Sequence, residues 1–125
     1  MRADIRKLPF KDNSIDGIWN LGVMEHFSKK EIHAILNEFK RVLKKDGTML
    51  IFWPPRYSLA HIFFSSIETA ARILGKKIQI FPDEPSLLHS KKEAKEMMKK
   101  AGLNAECFFN YRDGFCHIIV MARKT

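Results

Sequence analysis

The sequence is poor in cysteine, has no long apolar run and has no closely spaced glycines. Two cysteines in 125 residues, Cys107 and Cys116, exclude a disulfide scaffold and a four-cysteine zinc site. Both lie in apolar stretches and are expected to be reduced core residues of a cytoplasmic protein. No stretch approaches the ~18 apolar residues that a membrane-spanning helix needs. The first seven residues, Met-Arg-Ala-Asp-Ile-Arg-Lys, return to charge too soon for a signal peptide. Five prolines and six glycines exclude a collagen-like or low-complexity chain. The glycines fall at 17, 22, 47, 75, 102 and 114, and no two are separated by a single residue.

What is present describes one folded α/β domain over residues 1–125. Hydrophobic residues make up 46% and charged residues 29%, a balance that opposes disorder. The net charge is +8. Along the chain this surplus is spread evenly: ten basic against seven acidic residues up to position 55, then twelve against seven. Charge so diffuse in sequence does not predict a nucleic-acid partner.

Local patterns predict the elements in order. Ile15, Ile18 and Trp19, after the turn-forming Lys-Asp-Asn-Ser, predict a short buried strand over 15–20. Ser28-Lys-Lys-Glu31 forms a capping box. Ile32, Ile35, Leu36, Phe39, Val42 and Leu43 follow it at helical spacing and predict a helix over 29–45. Lys44 and Lys45 are expected in its last turn, with Gly47 as a left-handed cap. Thr48–Trp53 is continuously apolar after the Thr and stops at Pro54-Pro55, as a strand covered on both faces would. Strand, helix and strand then make one right-handed βαβ unit. Residues 57–74 predict a broadly apolar helix, and 78–85 an irregular loop. A second capping box, Ser90-Lys-Lys-Glu93, opens a helix over 91–101. Two apolar strands flank a hairpin turn at Arg112-Asp-Gly114.

The residues carry a resemblance. Asp4-x-x-x-Leu8-Pro9-Phe10-x-Asp12-x-Ser14-Ile15-Asp16, then Glu25-His26, then Glu38-x-x-Arg41-Val42-Leu43-Lys44-x-x-Gly47 resembles class I S-adenosylmethionine-dependent methyltransferases of the small-molecule type. The resemblance implies a Rossmann-like sheet of which this chain carries strands 4-5-7-6, the last antiparallel, with flanking helices on both faces. Residues 56–90 would be a substrate-cap-like insertion. The family's Gly-x-Gly-x-Gly turn, which lets the backbone approach the cofactor, has no counterpart. The chain is therefore expected to be the carboxyl-terminal half of a truncated or split methyltransferase, inactive alone.

The resemblance also assigns candidate residues. Asp4 would accept from the adenine amino group, with Ile5 beside the base. Asn20, Leu21 and Gly22 would lie against the methionine part of S-adenosylmethionine. Glu25 and His26 are the catalytic candidates, as general base or orienting pair, although polar residues at a helix entry would look the same. A metal site is not expected, because Gly22 replaces the first Glu of the family's metal-binding E-x-x-E-H. Trp53 and Tyr57 would contact a small acceptor, apolar in one reading. The open edge of strand 15–20 is expected to be covered by a second copy of the chain, as a homodimer, or by a chain carrying the missing amino-terminal half. The alternative is a non-catalytic module that dimerises or binds another protein through that edge. No transmembrane segment and no specific nucleic acid are expected.

Overall fold

The structure is a computed structural model and describes residues 3–55, 59–75, 86–109 and 117–125. Eight elements follow in order. They are β1 (Ile15–Leu21), a short 3-10 turn (Met24–His26), α1 (Lys29–Val42), β2 (Leu43–Trp53), α2 (Leu59–Ile73), α3 (Lys91–Lys100), β3 (Asn104–Phe109) and β4 (Ile118–Arg123). The sheet order is β1-β2-β4-β3. β1 is parallel to β2, and β4 is antiparallel to both β2 and β3. This is the 4-5-7-6 arrangement that the resemblance implied. The Arg112–Gly114 turn and the 78–85 loop lie outside the described residues.

The helices form for the reasons visible in the sequence. The Ser28 hydroxyl caps the Glu31 N–H while the Glu31 carboxylate accepts the Ser28 N–H at 3.0 Å. The second predicted box closes only halfway: the Ser90 hydroxyl accepts from the Glu93 N–H at 3.2 Å, but the Glu93 carboxylate takes the His89 N–H at 2.9 Å and the Lys29 ammonium instead of the Ser90 N–H. Ile32, Ile35, Leu36 and Phe39 of α1 share one core with Ala94 and Met98 of α3 and with Met49, Ile51, Trp53, Ile118, Val120 and Ala122 of the sheet. Both helices therefore cover the same sheet face. The other face carries Trp19, Leu21, Phe108 and Met121, all exposed. Helices on both faces were expected; α1 and α3 cover one face, while Ile62, Phe63 and Ile67 of α2 stand exposed. The expectation that β1 is buried fails: Asn20 is its one buried residue.

α1 ends at Val42, earlier than the predicted 45. Leu43–Lys45 instead open β2, because tertiary bonds claim that backbone. Lys124 Nζ donates to Leu43 O at 2.7 Å, and Asp46 N–H donates to Lys124 O at 2.9 Å. Lys44 pairs with Asp16 of β1 at 2.7 Å. Asp46, with φ 64°, takes the left-handed conformation predicted for Gly47. Gly47 is needed for closeness instead. A Cβ there would stand 2.8 Å from Lys44 O and 3.2 Å from Asp16 O.

The loop before β1 is stitched to α1 by Arg41. Its guanidinium bonds Glu38 at 2.7 and 2.9 Å, Asp12 Oδ1 at 2.6 Å, Phe10 O at 2.9 Å and Leu8 O at 3.2 Å. Glu38 Oε1 also accepts the Leu8 N–H at 2.7 Å. Hydrogen bonding from Arg41 holds the Glu38 carboxyl below its usual range. A carboxyl depressed by folding contributes stability above its unfolded pKa, and that contribution is lost as pH falls through the folded value. Thermal unfolding followed between pH 7 and 3 is thus expected to show a fall in Tm below about pH 4 that is shallower in Glu38→Gln.

Candidate functional site

β1 and β2 run parallel and end side by side, Asn20 opposite Ile51 and Leu21 opposite Phe52. In parallel sheets, ligands bind beyond such carboxyl ends. Three buried polar residues occur among the described residues: Asn20, Glu25 and Ser86. All three sit on or against the segments that leave these strand ends.

Asn20 faces the helix-covered side of the sheet. Both atoms of its amide are buried, and neither has a hydrogen-bond partner. A buried amide without partners is costly and marks a place where another group belongs. The chain then turns at Gly22, φ +63°, a conformation that suits glycine. Its N–H donates to Phe52 O at 3.1 Å, which ties the turn to β2. The Glu25 carboxylate lies against it, with Oε1 3.1 Å from where a Cβ on Gly22 would stand.

Glu25 is buried and His26 is half-exposed, with Oε1 and Nε2 3.9 Å apart. They attract only when the imidazole carries a proton. Ser86 was not singled out in the sequence. Its N–H donates to Glu25 O at 3.2 Å, and its buried hydroxyl lacks a partner. The following Leu88 N–H donates to Pro54 O at 3.3 Å, laying this segment over the end of β2. Only the fold could have revealed Ser86, since no motif surrounds it and 61 positions separate it from Glu25.

The other candidates fall differently. Asp4 is exposed, and both its carboxylate oxygens bond Arg6, which holds its carboxyl below the usual range. Ile5 is half-buried and packs against the core. Leu21 is 55% exposed, on the open face. Trp53, expected at an acceptor pocket, is fully buried. The β2 register places it opposite Ile118 on the helix-covered face, and its indole N–H donates to Ser86 O at 2.8 Å. It props the Ser86 segment from within the core. Tyr57 lies outside the described residues. Cys107 is a free, buried thiol whose pKa burial pushes up. Among the described residues, no three His, Cys, Asp or Glu side chains gather as metal ligands, and no helix is long and apolar enough to cross a membrane.

Comparison with known proteins bears on the domain and its fold. Residues 1–51 match a family model described as a methyltransferase domain. Over 54 residues the chain is 44% identical to a probable tRNA methyltransferase 9B from Mus musculus, covering 42% of this chain and 12% of the mouse protein. The whole chain superposes on an S-adenosylmethionine-dependent methyltransferase from Thermotoga maritima, a possible histamine N-methyltransferase. There the TM-score is 0.68 at 18% identity, covering 63% of that protein. A second such methyltransferase, from Aquifex aeolicus, gives 0.67 at 18% identity over 100% of this chain and 54% of the other. A Burkholderia thailandensis 1,6-didemethyltoxoflavin-N1-methyltransferase, solved with S-adenosylhomocysteine, gives 0.65 at 15% identity over 98% of this chain and 49% of the other. Residues 1–51 thus resemble a methyltransferase domain in sequence, and the chain shares the fold of S-adenosylmethionine-dependent methyltransferases. The chain spans less than two thirds of each of these proteins.

Two substitutions test this construction. Trp53→Ala is expected to cost about 3–5 kcal/mol in urea unfolding, because it empties a core site and strands Ser86 O. Gly22→Ala is expected to cost about 1–2 kcal/mol, from left-handed strain and crowding against Glu25.

Proposed function

We propose that this chain supplies the acceptor-side half of an S-adenosylmethionine-dependent methyltransferase site and works together with a Gly-rich half docked on β1. The observation that carries this is the buried, partnerless amide of Asn20 at the carboxyl end of β1. Its two N–H donors suit the carboxylate of a methionine moiety and its carbonyl oxygen suits the ammonium. The Gly22 turn beside it is closed against the Glu25 carboxylate, so these two residues would border the same moiety. The adenine end fits less well, since Arg6 already occupies the Asp4 carboxylate.

When bound, S-adenosylmethionine supplies an electrophilic methyl group on a sulfonium. The residues of this chain would hold and orient. Asn20 and the Gly22 turn would fix the methionine part, with Ser86 completing the polar lining. The half-exposed His26 would take a proton from an acceptor hydroxyl or amine, and the buried Glu25 carboxylate would stabilise the imidazolium that results. Direct displacement depends chiefly on in-line placement, so positioning contributes more than acid–base chemistry. The acceptor is a small nucleophilic group, whether a free molecule or a nucleoside held in a larger substrate. The similarity to a tRNA methyltransferase supports the second form.

The Gly-rich half would lie along the free edge of β1, which pairs only with β2 among the described strands, and over the apolar face bearing Trp19 and Leu21. That half would come from another chain or another segment of a longer one. A second copy could cover the same edge as a homodimer. Those exposed residues equally support a second reading, a non-catalytic interaction module.

Titration calorimetry with S-adenosylhomocysteine separates the two. The chain alone is expected to give no saturable heat. With a polypeptide carrying a Gly-x-Gly-x-Gly half, binding is expected to appear and to weaken about 10- to 100-fold in Asn20→Ala, the loss of a hydrogen bond to a charged group. Binding that never appears, or that ignores Asn20, favours the interaction module.

A further inference from the structure

Lysines scattered through the sequence are gathered by the fold onto one surface. The Lys29 ammonium bonds Glu93 at 2.8 Å and so ties the start of α1 to α3. Between the two helices runs a groove lined by Lys29, His33, Met97 and Lys100, floored by the buried Ile32 and Leu36. Beyond it, Lys92, Lys95 and Lys99 stand exposed on α3 and line a shallow concavity with Glu96. α3 holds five lysines and two glutamates in ten residues. Glu93 is engaged by Lys29 and His89, while Glu31 and Glu38 of α1 are engaged by Arg6 and Arg41. Glu96 is the one acidic side chain left among these lysines.

We infer that this outer face of α1 and α3 is a docking surface for the phosphate backbone of RNA, a proposal that rests on the methyltransferase reading and names the class of its substrate. Three features support it. First, part of the lysine set runs against helix stability, although Lys99 and Lys100 close α3 where the macrodipole favours them. Lys29, Lys30, Lys91 and Lys92 open the two helices, where the macrodipole disfavours cations. Second, their spacing suits a polymer. Lys92, Lys95, Lys99 and Lys100 are spread along a helix about 15 Å long, so they can meet successive phosphates rather than one. Third, both helices begin at the sheet edge where β1 and β2 end. A strand lying along the lysines would therefore lead toward the half-exposed His26.

A bilayer fits this face poorly. Membrane-surface helices insert large apolar side chains between their cations. Among the described residues, the large exposed apolar side chains lie on or just after α2, on the open sheet face and at Phe10, while the groove floor between the lysines is buried.

The test is binding of a fluorescein-labelled RNA hairpin by anisotropy, without cofactor, across a salt series. The wild-type chain is expected to bind with steep salt dependence. Changing Lys92, Lys95, Lys99 and Lys100 together to Gln should weaken binding more than about tenfold and flatten the log–log salt slope by about three. A charge-matched control, Lys7, Lys11, Lys45 and Arg123 to Gln, should weaken it less than about threefold. Circular dichroism verifies that both variants fold. Equal losses in the two variants would reduce the effect to net charge and overturn the proposal. So would absence of RNA binding, or lysine-dependent binding to phosphatidylserine vesicles without RNA binding. Because no methyl transfer is read, failure here leaves the cofactor titration untouched, and failure there leaves this result standing.

Discussion

One guanidinium holds the front of this molecule together. Arg41 reaches from the last turn of α1 into a loop with no regular structure and satisfies the carbonyls of Leu8 and Phe10 while pairing with Glu38 and Asp12. Its backbone continues the seam. Asn13 N–H donates to Arg41 O at 3.0 Å and Ser14 N–H to Val42 O at 2.9 Å, and β1 starts at the next residue. An irregular chain must satisfy its polar backbone somewhere, and here a five-donor planar group does so. The direction of β1, and hence the place of Asn20, follows from that contact. Leu8-Pro9-Phe10, Asp12, Glu38 and Arg41, which carry the family resemblance, are therefore first of all a structural unit.

The sheet is lopsided. α1 and α3 seal one face, and the core drawn from both is continuous. The opposite face shows Trp19 at 73% exposure, on a strand with one free edge. A contiguous apolar surface beside unpaired strand groups calls for cover. The same β1 therefore bears the partnerless Asn20 on one side and the uncovered Trp19 on the other. Under the proposed function, one partner would complete both the sheet and the site.

The surface charge has a different logic. Carboxylates on α1 and α3 are mostly consumed by local partners, so lysines dominate what remains. A modest net charge becomes a directional field only when helices bring like charges to one side. Linear charge counting averages this away, because α1 and α3 lie about sixty residues apart in sequence yet touch through Lys29 and Glu93.

Much of the fold was legible because its signals are local. The capping box at Ser28, the cap at Ser90, helical spacing from Ile32 to Val42 and the apolar run to Trp53 each state a preference within a few residues. Asn20, Gly22 and Glu25 were legible as candidates because motif spacing survives in one dimension. Tertiary structure decided what depends on register and distant partners. Lys124 drew Leu43–Lys45 out of the helix, and the β2 register turned Trp53 into the core. Chain return brought Ser86 against Glu25, and packing of α3 on α1 joined two sets of lysines. Local chemistry sets which element a segment prefers. Which side chain faces what is set by contacts that close only once the chain has folded back on itself.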